Sequence, residues 1–184
     1  RTLIPSFDHP HIIAGQGTTG MEIFEQLAER GERAGRLVCC VGGGGLISGI
    51  NLAADALSPR TETFGAEPEG FDDHARSLAS GRLEGNTRKG GSVCDALLSP
   101  APGKLTFAIN KARLSGVGVI SDEEAMQAVR FAFEHLKLVV EPGGAAALAA
   151  VLSGKVAPAS DGVTVVVLTG GNVDPEVFAK AIQI

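Results

Sequence analysis

The chain has 184 residues, 44% of them hydrophobic, and a formal net charge of −5 at pH 7. This length suits one domain with a buried core. The lack of Trp and Tyr and of any basic stripe argues against nucleic-acid and anionic-membrane partners, and no apolar run in the sequence approaches membrane-spanning length.

Predicted helices and strands alternate through the first half of the chain. Apolar residues recur at helical spacing over residues 20–30, where Gly31 can end the helix. The next segments are predicted as a strand, a helix, a strand, a helix and a loop rich in Gly, Ser and Pro, over residues 37–41, 46–57, 61–66, 72–79 and 81–103.

The second half continues the same alternation. A short strand over residues 117–120 leads to Ser121, which forms a capping box with Glu124 and starts a helix that ends near residue 138. The next predicted element is a buried helix that has Pro142 in its first turn and continues over residues 145–152. It is followed by an apolar strand over residues 163–168 and by a last helix, which Asp174 caps and Pro175 starts.

This alternation, with uninterrupted apolar strands, predicts an α/β fold with a mostly parallel sheet and helices on both faces. No linker or internal repeat divides the sequence, so residues 1–184 are predicted to form a single domain. Ligands of open parallel sheets bind beyond the carboxyl ends of the strands. Two glycine loops, at residues 42–45 and 169–172, follow predicted strands, so the two can converge on one ligand.

The first of these loops, Gly42 to Gly45, favours an anion site. Glycines let backbone N–H groups approach an oxyanion closely, and the N-terminus of the following helix adds partial positive charge. A tight turn without a ligand is the alternative. Ile47 or Ser48 falls where a dinucleotide fingerprint needs its last glycine, and no Gly-Lys-Ser/Thr follows. The loop therefore favours one terminal phosphate over a pyrophosphate or a triphosphate.

A second candidate site combines Glu67, at the end of a predicted strand, with Asp73 shortly after it. Two carboxylates and a backbone carbonyl suit a hard cation such as Mg²⁺ or Ca²⁺. The alternative is that Asp72 and Asp73 only cap the following helix.

The three cysteines do not form a recognisable site. Cys39 and Cys40 are adjacent in a strand and point to opposite faces, and Cys94 stands apart. This spacing suits neither a zinc site nor a redox pair, so we expect these side chains to pack in the core of a cytoplasmic protein.

Several segments together resemble the serine/threonine dehydratases and serine racemases of the tryptophan-synthase-β type, which use pyridoxal phosphate (PLP). Order and spacing fit this family across nearly the whole chain. The segments are residues 7–18, which open the chain, then residues 42–49 (GGGGLISG), 65–68 (GAEP), 136–145 (LKLVVEPGGA) and 168–174 (LTGGNVD).

The resemblance implies the large-domain part of a fold type II PLP enzyme and a role for each candidate residue. Thr169 occupies the position whose hydroxyl meets the pyridine nitrogen, although an ordinary turn residue is the alternative, and Glu141 is either near the cofactor or a structural cap. By the same resemblance, Glu67, the Phe71 carbonyl and Asp73 hold a divalent cation. The PLP phosphate is held by backbone N–H groups of Gly42, Gly43, Gly44, Gly45 and Leu46.

The family's Schiff-base lysine lies in a Ser-x-Lys-x-Arg segment that this sequence does not contain. We assign no catalytic residue to the chain, and none of its lysines stands in that context: Lys89, Lys104, Lys111, Lys137, Lys155 and Lys180. Since the chain also begins at Arg1, we expect the C-terminal part of a longer enzyme that is inactive when isolated.

The activity implied by the resemblance is that of an L-serine or L-threonine ammonia-lyase. Such an enzyme eliminates the β-hydroxyl of its substrate and gives a 2-oxo acid and ammonia, and it is expected to be a homodimer or to be complemented by a lysine-bearing segment. The alternatives are a non-catalytic module that binds PLP or phosphate, a serine racemase, and a nucleotide-binding domain, which the failed fingerprints disfavour.

Overall fold

The computed structural model describes residues 4–183. Its centre is a four-stranded sheet whose strands are all parallel and lie in the order β3-β2-β1-β4. This arrangement confirms the predicted α/β fold with a parallel sheet. The strands are β1 (Ala34–Cys40), β2 (Glu62–Pro68), β3 (Leu114–Ile120) and β4 (Val163–Val166).

Helices connect and cover these strands. A 3-10 turn (Asp95–Leu97) precedes α4, and a π-helix (Ala132–Leu136) extends α5. The α-helices are α1 (Pro10–Glu29), α2 (Gly45–Leu57), α3 (Asp73–Ser80), α4 (Lys104–Arg113), α5 (Asp122–Phe131), α6 (Ala146–Leu152) and α7 (Pro175–Ile182). Within residues 4–183, none of the helices combines the length and apolar character needed to cross a membrane.

Local capping signals place several helix ends where the sequence predicts them. Ser121 and Glu124 form the expected reciprocal capping box at the start of α5, and the Asp174 carboxylate accepts the Glu176 N–H at the start of α7. Gly31 follows the end of α1 with φ +70° and donates to the Ala28 carbonyl. These signals act within a few residues, so they can be identified in the sequence.

Two helices differ from the prediction because tertiary contacts determine them. Helix α1 begins at Pro10, well before residue 20, since His9 caps it and its glycines pack on α2. Helix α4 was not predicted at all. Its own N-cap is Gly103, which offers no side-chain acceptor, and the Asp8 carboxylate caps it from 96 residues away by accepting the Lys104 N–H.

Smaller differences concern the segment before α6 and the cysteines. Residues 142–145 form turns, and regular helix begins only at Ala146. Cys39, Cys40 and Cys94 are free and buried, as expected for side chains that pack in the core.

Helices α1 and α2 approach so closely that glycine is required at their contact. A Cβ on Gly49 would lie 2.5 Å from the Ile13 carbonyl oxygen, and a Cβ on Gly17 would lie 3.2 Å from the Gly49 carbonyl oxygen. Such distances leave no space for a methyl group. The contact fixes the position of α2, whose first residue is also the last glycine of the loop at residues 42–45.

Gly49→Ala tests this contact, with Gly15→Ala on α1 as the matched control. The added methyl at residue 49 overpacks the interface and should lower the free energy of unfolding by about 1–3 kcal/mol. Gly15 is exposed, and a Cβ added to it would meet no atom within 4 Å beyond its chain neighbours and the nearby backbone of its own helix, so its substitution should raise the stability by up to about 1 kcal/mol. Urea unfolding followed by circular dichroism measures both, and equal stability of the two variants would contradict the packing described.

Candidate functional site

The first glycine loop, Gly42 to Gly45, leaves the carboxyl end of β1 and enters α2. It lines a cavity of about 330 Å³. Gly44 has φ +92°, in the left-handed region that side chains disfavour. The other residues that line the cavity are Ser6, Phe7, Gln16, Cys40, Leu46, Ile47, Ala96, Leu97 and Ser99.

Neighbouring groups hold the loop tightly on several sides. The Phe7 ring lies directly against the Cα of Gly43, and its Cβ would be 3.0 Å from a Cβ on Gly45. On Gly44, a Cβ would meet His74 Nε2 at 2.7 Å. Gly43 and Gly44 therefore have to be glycine for steric reasons, a side chain at Gly45 would be crowded, and the backbone itself forms the wall of the cavity.

The backbone N–H groups of this loop have no acceptor within the described part of the chain. From Gly42 to Ile47, none of them donates to an acceptor in residues 4–183. The last three belong to the first turn of α2, where a helix offers free donors and partial positive charge. Free amides beside a cavity and a helix N-terminus fit a phosphate group.

The second glycine loop lies beside the first, because β4 pairs with β1 in the sheet. Thr169 follows β4, and its Oγ1 lies 3.7 Å from Sγ of Cys40, the last residue of β1. Cys40 also lines the cavity. The structure thus brings Thr169 to the cavity edge at the same end of the sheet as Gly42 to Gly45.

Glu141 supports this second loop. Its Oε2 accepts the Asn172 N–H at 3.1 Å, and a Cβ on Gly170 would lie 2.5 Å from its Oε1. The Glu141 N–H in turn donates to the Gly170 carbonyl at 2.9 Å. These contacts give Glu141 a structural role in fixing the loop that carries Thr169.

Glu67 lies at the carboxyl end of β2, fully buried, and caps helix α3. Its Oε1 accepts the His74 N–H and its Oε2 accepts the Ala75 N–H, both at 3.0 Å. Asp72 occupies the N-cap position, but its side chain makes no capping hydrogen bond. The helix is therefore capped from the neighbouring strand, and the capping role anticipated for Asp72 is not observed.

Asp73 is fully buried beside Glu67. Its Oδ1 accepts from Asn86 Nδ2 at 2.6 Å, whereas its Oδ2 has no hydrogen-bond partner in the described part of the chain. Burial, together with the charge of Glu67, raises the pKa of Asp73 from 3.8 to about 6. A buried acid with an unused oxygen fits a cation ligand.

His74 completes the acidic cluster, and the sequence analysis missed it. Ligand atoms of Glu67, Asp73 and His74 lie within 4.8 Å of one another, and across residues 4–183 no Lys or Arg pairs with either carboxylate. Phe71 is buried in the short connection between Glu67 and Asp73. The position of His74 beside Asp73, in the first turn of a predicted helix, was the signal available in the sequence.

Known proteins of similar sequence identify the family of this chain. The serine racemase of Dictyostelium discoideum is 38% identical over 98% of this chain and 55% of its own length. The L-threo-3-hydroxyaspartate ammonia-lyase of Saccharomyces cerevisiae is 38% identical over 98% of this chain and 54% of its own length. The chain thus spans about half the length of the curated relatives it matches.

The crystal structure of a T.th. threonine deaminase superposes with a TM-score of 0.86 at 41% identity, covering 91% of this chain and 59% of that chain. Residues 1–170 match the family profile described as pyridoxal-phosphate dependent enzyme. This match includes all four strands and the glycine loop at residues 42–45. The chain therefore belongs to the family of pyridoxal-phosphate dependent enzymes, with the fold type II architecture of its relatives.

Proposed function

We propose that this chain forms the phosphate-binding and ring-binding part of a PLP-dependent ammonia-lyase that acts on a β-hydroxy α-amino acid. The observation that carries the proposal is the run of unused N–H groups from Gly42 to Ile47 beside the cavity. The names of the relatives support the substrate class, because serine, threonine and hydroxyaspartate all carry a β-hydroxyl group.

The chain's own residues bind and orient the cofactor. The N–H groups of Gly42, Gly43, Gly44, Gly45 and Leu46 would hold the phosphate, and the N-terminus of α2 would stabilise its charge. The Thr169 hydroxyl would meet the pyridine nitrogen, with the Cys40 thiol 3.7 Å from that hydroxyl. Bound PLP supplies an electron sink that eases removal of the proton from the α-carbon of the substrate.

A neutral hydroxyl at the pyridine nitrogen has a chemical consequence. Unlike a carboxylate, the Thr169 hydroxyl does not force the nitrogen to stay protonated. The electron sink is then weaker, which favours rapid loss of the β-hydroxyl. The products of the complete enzyme are a 2-oxo acid and ammonia.

The Schiff-base lysine has to come from outside these 184 residues, because the sequence contains no Ser-x-Lys-x-Arg segment. We therefore propose that the isolated chain is inactive, and that the complete enzyme is a homodimer or is complemented by a separate lysine-bearing segment. The free cysteines support a cytoplasmic compartment. The missing lysine also favours a second candidate function, a non-catalytic module that binds PLP or phosphate.

Leu46→Pro tests the phosphate site, with Leu46→Ala as the matched control. Proline removes one N–H group yet is tolerated in the first turn of a helix, whereas alanine removes the side chain and keeps the N–H. Losing one charge-assisted hydrogen bond of about 1.5–3 kcal/mol should weaken PLP binding roughly 10-fold to 100-fold. Equilibrium dialysis with PLP measures the dissociation constants.

Wild-type and Leu46→Ala chains should bind PLP without an imine absorbance band. Failure of the wild-type chain to bind PLP, or equal affinity of the proline and alanine variants, would contradict the assignment. Addition of L-serine and L-threonine to the full-length protein distinguishes a lyase from a non-catalytic module, because only a lyase yields a 2-oxo acid.

We further propose that Glu67, the Phe71 carbonyl and Asp73 hold a divalent cation such as Mg²⁺ or Ca²⁺, as in the racemase-like members that the sequence resembles. All three supply the oxygen ligands that hard cations prefer. The buried, unpartnered Oδ2 of Asp73 supports this assignment.

Asp73→Asn tests the cation site, with Asp72→Asn as the control. A cation at 100 times its dissociation constant should stabilise the wild-type chain by about 2.7 kcal/mol. The Asp72 carboxylate pairs with Arg76 at 3.4 Å at the protein surface, so the control should keep this effect and Asp73→Asn should lose it. Thermal unfolding of each variant, measured once with Mg²⁺ or Ca²⁺ and once with a chelator, gives the stabilisation by the cation. An equal stabilisation of both variants would exclude Asp73 as a ligand.

The raised pKa of Asp73 gives a separate prediction for the cation-free chain. The folded state favours the protonated acid, so the free energy of unfolding should fall as the pH rises from about 4 through 6. At 1.36 kcal/mol per pKa unit, the full loss is about 3 kcal/mol. Denaturant unfolding in the presence of chelator should show this fall for the wild-type chain and for Asp72→Asn but not for Asp73→Asn. If the free energy of unfolding of Asp73→Asn fell in the same way, a group other than Asp73 would be responsible for the pH dependence.

A further inference from the structure

A buried polar network lies behind the first glycine loop, on the side away from the cavity. Its centre is Asn110 of α4, which is fully buried. Asn110 Oδ1 accepts from Ser48 Oγ at 3.0 Å and from Asn51 Nδ2 at 3.1 Å, both on α2. Asn110 Nδ2 faces His74 Nε2 of α3 at 3.3 Å. One amide therefore joins three helices.

The glycine loop rests directly on this network. A Cβ on Gly44 would lie 2.7 Å from His74 Nε2 and 2.9 Å from Asn110 Nδ2. One residue earlier, the Gly43 carbonyl accepts from Thr106 Oγ1 of α4 at 2.7 Å. With no side chain between them, a shift of the His74 ring or the Asn110 amide has to move the loop backbone.

The opposite edge of the His74 ring lies close to two buried carboxylates, Glu67 and Asp73, which form the acidic pair. Nδ1 lies 3.3 Å from Glu67 Oε1 and 3.8 Å from Asp73 Oδ2. Nδ1 makes no hydrogen bond within the described residues, but a proton on Nδ1 would direct an N–H group rather than a lone pair at these carboxylate oxygens, which favours the Nδ1–H tautomer. Nε2 is then the acceptor of the Asn110 amide. The ring thus bridges the acidic pair and the amide beneath Gly44.

We propose that Asn110 is a positioning residue that couples the glycine loop to the Glu67–Asp73 pair through His74. An anion at the loop and a divalent cation at the acidic pair then change each other's affinity by the same factor, as linkage requires. This inference rests on the proposed function, because it takes the loop as a phosphate site and the acidic pair as a cation site. Neither ligand contacts Asn110, so the residue acts only through the loop and the His74 ring.

The test compares PLP binding with and without saturating Mg²⁺ in the wild-type chain, in Asn110→Leu and in the control Ala112→Leu. Leucine has nearly the shape of asparagine but cannot hydrogen bond, and residue 112 is an exposed position on the same helix. Isothermal titration calorimetry should show that Mg²⁺ changes the PLP dissociation constant about fivefold or more in the wild-type chain and in the control. In Asn110→Leu the two ligands should still bind, with the Mg²⁺ effect on PLP lost.

Different outcomes identify which proposal fails. A wild-type chain that binds no PLP overturns the proposed function, and the coupling with it. A wild-type chain that binds PLP without any Mg²⁺ effect, or an Asn110→Leu variant that keeps the full effect, overturns the coupling alone. A purely structural Asn110 would lower the stability of the chain and leave the ratio of the two dissociation constants unchanged.

Asn110→Asp and a spectroscopic readout keep the proposal testable if Asn110→Leu does not fold. The aspartate still accepts from Ser48 and Asn51, but it offers His74 Nε2 a carboxylate oxygen in place of an N–H group. In ¹⁵N spectra, with His74 assigned by its loss in His74→Gln, the wild-type ring should be protonated at Nδ1, and the Asn110→Asp ring should carry a proton on Nε2 as well. Addition of PLP should shift the wild-type His74 signals, and signals that do not respond to PLP would overturn the coupling.

Discussion

The chain that leaves β1 has to pass between the Phe7 ring on one side and the His74 and Asn110 side chains on the other, with no space for a side chain of its own. This steric constraint requires glycine at residues 43 and 44, disfavours a side chain at residue 45, and leaves the backbone as the chemical surface of the loop. It also exposes a row of free N–H groups at the start of α2. The packing of α2 through Gly49, the cap that Asp8 gives to α4, and the buried amide network all serve to hold this backbone in place.

The parallel sheet explains why groups far apart in sequence meet at one edge of the sheet. Adjacent parallel strands end at the same edge, so the glycine loop after β1 and Thr169 after β4 lie side by side. The acidic pair follows β2, the next strand on the other side of β1. The proposed cofactor site therefore draws on loops from two neighbouring strands, and the relatives of the chain are nearly twice as long. The proposal takes the Schiff-base lysine from outside these 184 residues.

The sequence predicts those features that depend on local signals. Apolar runs locate the strands, the Ser121–Glu124 capping box locates α5, and the glycine run locates the loop within one residue of the start of α2. Features that depend on distant partners were missed. The glycines of α1 look like helix breakers until α2 is seen against them, and α4 has no cap in its own sequence. The bridging role of His74 requires knowledge of Asn110, which only the folded chain brings within 3.3 Å.

A crystal structure of this chain with PLP tests the central claim most directly. The account predicts the cofactor phosphate within hydrogen-bond distance of the N–H groups of Gly42 to Leu46, with the pyridine nitrogen beside Thr169 Oγ1. A phosphate bound outside this loop, or a ring nitrogen directed away from Thr169, would contradict the account.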